Sequence, residues 1–329
     1  MTAEPSNELR IAYGGQAVLE GVMMRGRRSL AIVVRHPLGQ IALRTLALDP
    51  RRLSQRVRRV PVVRGAVGVW EMLVIGMKAL NFSASVQLAG AEGPAANGSD
   101  GSDAAERGTS GFVTGSVLLG LVLGVGLFFV LPLFLTSYTD TAITSDVLSN
   151  IVEGLIRLAL FLAYLWLIGL LPDIRRVWMY HGAEHKTINA LEAGEQLTVA
   201  KVQRHSLAHP RCGTGFLVLL VLLSIVVFAL AGRPPMVWRV LSRVALVPLI
   251  AGVGFELMMF LARHRRRWPA RLALQPGLVV QRLTTRQPTD DQVEVAIVAM
   301  DRVLALENQL VELRPVAVPA TVVADDRPA

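Results

Sequence analysis

The sequence predicts an α-helical integral membrane protein of about four transmembrane helices. A small cytoplasmic α+β domain, formed by N-terminal strands, a central His-rich loop and a C-terminal helix, completes the expected fold. Three observations lead there. Of 329 residues, 52% are hydrophobic and 18% charged, and the mean hydropathy of +0.47 exceeds that of ordinary soluble domains. The apolar residues collect in a few long blocks, which is how lipid-solvated helices read. The basic residues collect between the blocks, as they do on the cytoplasmic loops of membrane proteins.

Residues 111–137 hold no charge in 27 positions, roughly 40 Å of helix and long enough to span a bilayer with tilt. Residues 154–171, 215–232 and 240–262 are three further spans, the first containing Arg157 and the last Arg243 and Glu256. Residues 62–80 are apolar but interrupted by Glu71 and Lys78, so 65–88 reads as an interfacial or re-entrant helix. The Gly, Ala, Ser and Asp content of 89–110 is that of a flexible linker.

Orientation follows from the loops. Glu20 to Arg64 contains eleven arginines and two acids, whereas 138–153 contains no Lys or Arg. Arg175, Arg176, Lys186, Lys201, Arg204 and Arg211 fall in 172–214, and 263–267 reads RHRRR. Both termini, segment 1–64, the loop 172–214 and segment 263–312 are therefore expected in the cytoplasm, with 138–153 outside. This use of positive charge accounts for the net +9. No nucleic-acid motif with interleaved aromatics is present, so no nucleic-acid partner is expected. The bilayer is the first partner and a protein the second. The one cysteine, Cys212, excludes an intrachain disulfide scaffold.

Within the soluble parts, residues 11–48 contain three runs rich in branched residues, AVLEGVMM, SLAIVVRH and QIALRTLAL, broken at Gly26 to Arg28 and Pro37 to Gly39. That pattern predicts an antiparallel meander, with Glu20 in a strand. Thr289-Asp290-Asp291-Gln292 resembles a capping box that opens an amphipathic helix to about Glu312, and 313–329 reads as a disordered tail.

The chemistry concentrates in one place. Four of the six histidines lie between 181 and 209. In His181-Gly182-Ala183-Glu184-His185 the two imidazoles stand at i and i+4, one above the other on a helix and both within reach of one ion. His205 and His209 repeat the spacing. H-x-x-E-H has the form of the inverted zinc-protease signature, two ligands and a carboxylate that acts on water. The candidate ligands are thus His181, His185, His205 and His209, with Glu184 as general base and a divalent metal, zinc first, as cofactor. A catalytic site needs a third ligand and an open position; Cys212 and Glu256 are further candidates beside His205 and His209. Cys212 also reads as a small buried residue in its turn, and Glu256 as an ion-pair partner of Arg263 or Arg176. Glu20 is either a hydrogen-bonded structural acid or a carboxylate that orients a histidine. Lys186 and Arg211 could hold an anionic substrate or serve orientation alone.

At these residues the sequence resembles the YqhQ-like family, a bacterial domain of unknown function once described as metal-dependent enzymes. The resemblance is carried by Gly14 to Gly26 (GGQAVLEGVMMRG), Asp173 to Arg176, Tyr180 to Asn189 (YHGAEHKTIN), His205-Ser206, His209 to Thr214 (HPRCGT) and Gln281 to Arg286 (QRLTTR). It implies a multi-pass protein of the bacterial inner (cytoplasmic) membrane and brings no substrate. It also directs attention to Gln16, Glu20, Met23, Met24 and Arg25, and to the QRLTTR run, whose polar residues have no evident fold role.

The function expected from the residues is that of a metal-dependent membrane enzyme, hydrolytic, with its site at the cytoplasmic membrane face. The alternative is a noncatalytic membrane scaffold or assembly factor with a structural metal or none. Transport would need charges lining a path at mid-bilayer, and Arg157, Arg243 and Glu256 all lie nearer the span ends in the sequence.

Overall fold

The computed structural model describes residues 13–48, 60–91, 115–116, 118–138 and 143–312. The sequence readings for 1–12, 49–59, most of the linker 89–110 and the tail 313–329 lie outside these residues.

Four strands, β1 (Gly14–Val18), β2 (Gly21–Arg25), β3 (Ser29–Arg35) and β4 (Ile41–Ala47), form one antiparallel sheet in sequence order. The first branched run is a hairpin in its own right, with Val18 opposite Gly21. Glu20 is therefore in the two-residue turn, not in a strand, and it takes a positive φ of 52°. Both faces of the sheet are apolar, which is why β3 reads as an unbroken branched run. Val22, Met24, Ala31 and Val33 face one way. Val18, Met23, Leu30, Ile32 and Val34 face the other, as the period of two requires.

Helix α1 is continuous from Pro61 to Ala91. Counting it, five helices are long and apolar enough to cross a membrane, rather than four. Glu71 and Lys78 are too sparse to interrupt it, and it runs on through Ala91 into what reads as linker. Its second half lies under the sheet, where Ala79 is buried with Ile75, Phe82 and Val86 against β2 and β3. Its first half packs on α7 (Met236–Arg263). There a Cβ on Gly252 would stand 2.3 Å from the Val62 carbonyl oxygen, so only glycine permits that backbone approach.

The other apolar helices are α2 (Leu118–Ser137), α3 (Asp146–Ile168) and α6 (Gly213–Ala231). Helix α2 contains a π turn over Gly126–Val130, and the Phe128 carbonyl there accepts from Arg157 Nε at 2.8 Å; its i+4 position is Pro132, which has no N–H to offer it. Helix α3 begins at Asp146, earlier than the expected 154, because Ser145 caps it, its side chain accepting from the Leu148 N–H at 3.4 Å. Glu153 is consequently inside the bundle and not in an external loop. It pairs with Arg157, Arg239 and Arg243, so Arg157 and Arg243 belong to one buried cluster.

Residues 172–214 are less a loop than a helical layer: α4 (Pro172–Glu192), α5 (Val199–Val202) and a turn into α6. Helix α8 (Trp268–Thr284) was not foreseen. It buries Ala270, Leu274, Gly277, Gln281 and Thr284 at helical spacing and exposes Trp268, Leu272 and Val279, the two-sidedness of an interfacial helix. Helix α9 (Asp290–Glu312) starts where the capping box placed it, and Gln292 Oε1 accepts the Thr289 N–H at 3.1 Å. Val293, Ala296, Met300 and Val303 of α9 close over the sheet together with Tyr180 and Ala183 of α4.

Gly252→Val should lower stability by about 2 kcal/mol or more, since the branched side chain has no room against α1. Thermal unfolding of the detergent-purified protein would show it, and an unchanged midpoint would mean that the α1–α7 contact is not tight.

Candidate metal centre

Helix α4 is the spine of the site because it is covered on several sides. The sheet and α9 pack on one flank. The connection from α8 to α9 crosses another, where the Arg286 N–H donates to the Trp178 carbonyl at 2.9 Å. His181, His185 and Glu192 fall on one stripe of α4, spaced by four and seven residues, and that stripe faces the turn leading into α6.

His181 Nδ1 lies 2.8 Å from the Thr284 carbonyl oxygen, and His185 Nδ1 lies 2.5 Å from that of Leu207. A carbonyl only accepts, so each Nδ1 carries a proton, and Nε2 is the nitrogen left to meet a ligand. His181 Nε2 is 3.2 Å from Cys212 Sγ, and the two rings stand 4.3 Å apart between centroids. His185 Nε2 is buried and has no hydrogen-bond partner among the described residues. One ligand atom from each of His181, His185 and Cys212 lies within 4.8 Å of the others. Two imidazoles oriented by backbone carbonyls and one sulphur form a donor set suited to zinc.

His209 adjoins this group, its ring 5.7 Å from that of His185. Gln281 fixes its backbone: Oε1 accepts the His209 N–H and Nε2 donates to the His209 carbonyl, both at 2.9 Å. His209 Nε2 is buried and 3.7 Å from Glu192 Oε1, too far for a hydrogen bond. Burial pushes the imidazole down to about 4, against the pull of Glu192. Glu192 resists its own burial because His209 and Arg211 hold its carboxyl down to about 2.

Glu184 projects toward β1. Gly15 N–H donates to its carboxylate, and burial raises the group to about 7 although His181 pulls the other way. A Cβ on Gly15 would stand 2.8 Å from Glu184 Cγ, so the glycine lets the strand close over the acid.

The remaining candidates are placed elsewhere. His205 Nε2 faces Glu195 at 3.6 Å, outside the ligand group. Glu256 is held by Arg64 in a bidentate pair of 2.7 and 2.6 Å, rather than by Arg263 or Arg176. Glu20 pairs in the same manner with Arg176 at 2.6 Å and accepts from the Tyr180 hydroxyl at 3.3 Å. Its positive φ is that of the second central residue of a two-residue hairpin turn, and the ion pair ties that turn to α4. Arg25 Nη1 contacts Met72 Sδ at 2.9 Å. Lys186 and Arg211 both have protein partners. Lys186 donates to the Gln203 and His205 carbonyls at 2.6 and 2.9 Å, and Arg211 pairs with Glu192.

Sequence reasoning missed Gln281 and Thr284 as supports of the site and Glu192 as a partner of His209. The QRLTTR run did signal polar residues without a fold role, and the stripe through His181 and His185 continues to Glu192.

The profile of a family described as Protein of unknown function (DUF1385) matches residues 60–306. That stretch includes every residue of the His cluster and its supports on α8. A protein of Bacillus subtilis (strain 168), named Uncharacterized protein YqhQ, is 34% identical over 298 residues, which cover 90% of this chain and 93% of the relative. No solved structure matches the chain.

The buried His209 predicts an acid weakness of the chelator-treated protein. Folding lowers its pKa from the ordinary 6.5 to about 4, so its contribution is complete above 6.5 and is lost as pH falls toward 4. We expect that loss to be on the order of 3 kcal/mol. Chemical unfolding at stepped pH would measure it, and His209→Asn should flatten the slope in this window; an equal slope in both proteins would exclude His209 as the cause.

Proposed function

The chain belongs to the DUF1385 family of proteins of unknown function, and from that premise and the side-chain geometry we propose that it is a metal-dependent hydrolase of the bacterial cytoplasmic membrane. The observation that carries this reading is the convergence of His181, His185 and Cys212, with His185 Nε2 buried and unpartnered. An imidazole nitrogen sealed from water without a partner is costly unless it has a ligand to bind.

Membrane insertion is supported by several long apolar helices. The His cluster stands at the Gly213 end of α6, the end that meets the basic stretches 172–214 and 263–267, so the positive-inside rule puts it on the cytoplasmic face.

Zinc suits two nitrogen donors and one sulphur. Bound there, the ion would supply Lewis acidity toward a carbonyl or phosphoryl oxygen or toward water. The chain's own residues have definite tasks. His181, His185 and Cys212 hold the ion, and the carbonyls of Thr284 and Leu207 keep both rings turned toward it. Glu184, one residue before a ligand, takes a proton from water or returns it to the leaving group. Three protein ligands leave a position for substrate, the requirement for peptide, lipid or phosphoester hydrolysis.

One observation favours a second reading. His209 Nε2 is also buried without a hydrogen-bond partner and adjoins His185. As a fourth ligand it would close the site, which is the arrangement of a structural zinc in a noncatalytic scaffold.

Metal analysis by mass spectrometry of the detergent-purified chain tests the proposal. Wild type should carry about one equivalent of zinc, and the His181→Ala/His185→Ala protein almost none. Folded wild type that stays metal-free after zinc or manganese is supplied would overturn the reading. His209→Ala separates the alternatives: retained zinc supports the open three-ligand centre, and its loss supports the closed one. With p-nitrophenyl acetate and bis(p-nitrophenyl) phosphate as probes, Glu184→Gln should keep its zinc and lose about a hundredfold or more in rate. Full activity in that variant would remove Glu184 from the mechanism.

A further inference from the structure

Toward the end of α6 away from the His cluster, α3, α6 and α7 bury a second polar group that the metal reading does not use. Glu153 accepts from Arg157 at 2.6 Å, from Arg239 at 3.1 Å and from Arg243 at 3.3 Å. Glu153 and Arg243 are completely buried and both other arginines nearly so. Every nitrogen of Arg157 has a partner: besides the bond to Glu153, Nε donates to the Phe128 carbonyl at 2.8 Å and Nη1 to Ser224 Oγ at 3.3 Å. Arg243 also donates to Asn150 Oδ1, and its guanidinium lies 4.3 Å from the Phe228 ring centroid. Its Nη1, however, is buried with no hydrogen-bond partner among the described residues.

The charge count points the same way. Arg239 has interactions beyond the pair with Glu153, so the excess is taken from Arg157 and Arg243 alone. Those two guanidiniums meet one carboxylate among the described residues. A guanidinium does not escape burial by losing its proton. Surplus positive charge and an orphaned donor in an apolar interior call for an anion.

Depth narrows the choice. Helix α7 has 28 residues, about 42 Å and the full thickness of a bilayer with its headgroups. Arg239 and Arg243 lie three and seven residues into α7 from Met236, and Glu153 seven into α3 from Asp146. That is about 5–10 Å below the helix ends, from the headgroup level to the outer hydrocarbon, within reach of a lipid phosphate for side chains as long as arginine. We propose that α3, α6 and α7 form a binding site for a phosphate oxyanion, with Arg243 Nη1 as its waiting donor. Guanidinium groups match the oxygen spacing of phosphate, and the phosphate comes from a phospholipid headgroup or from inorganic phosphate. The proposal stands whether or not the His cluster binds a metal.

The test uses the full chain, delipidated in a maltoside detergent and followed by thermal unfolding and native mass spectrometry. One arm adds sodium phosphate against sodium chloride of equal ionic strength; the other adds phosphatidylglycerol in mixed micelles. We expect a saturable rise in midpoint and one bound phosphate or phospholipid per chain, the responding arm identifying the source. Arg243→Gln should weaken that binding by about tenfold or more. Should Arg243→Gln not fold, Glu153→Gln takes its place. With the internal counter-charge removed, it should show a larger phosphate or lipid shift than wild type. No saturable response in either arm, an Arg243→Gln response equal to wild type, or a Glu153→Gln shift no larger than wild type would each overturn the site.

Discussion

Polar groups in an apolar interior must find partners, and the arrangement of this protein turns on how that requirement is met around α6. At its Gly213 end, backbone carbonyls and the Gln281 amide engage the buried imidazoles and the turn that carries them. Farther along, one glutamate serves three arginines, and a carbonyl of α2 that Pro132 cannot serve accepts from one of them. Each arrangement is costly to break, because removing one member leaves a desolvated charge or a bare donor. Each also leaves buried nitrogens without a partner among the described residues, namely those of His185, His209 and Arg243.

The sheet explains why so small a set of strands accompanies so many helices. It is a wedge between α1 on one face and α4 with α9 on the other. Through Gly15 it closes over Glu184, and through Glu20 it grips Arg176 and Tyr180. The burial that raises the Glu184 pKa therefore comes from an element more than 150 residues away in the chain. The same logic applies to α8: its buried edge supplies both Gln281 and the Thr284 carbonyl, so the helix that crosses the base of α6 also sets the geometry of the His cluster.

Period and composition made the long apolar helices, the branched strands and the α9 cap legible, since each is a local property of a short window. The same applies to the histidine pair at i and i+4. Charge inside apolar stretches misled the reading in both directions: Glu71 and Lys78 made α1 look interrupted, while Glu153 looked like the end of a loop. Whether an acid breaks a span depends on what stands opposite it. For Glu153 the answer lies some 90 residues on, at Arg239 and Arg243.

By itself the sequence made legible the long apolar helices, the branched strands and the histidine pair at i and i+4, because hydropathy and helical spacing are read in short windows of the chain. Only the tertiary structure selected among the candidate ligands. It joined Cys212 to His181 and His185, sent His205 to Glu195 and Glu256 to Arg64, and showed which nitrogens are orphaned. Ligand sets and ion pairs are decided by distance and burial, and those are set by how elements distant in sequence pack.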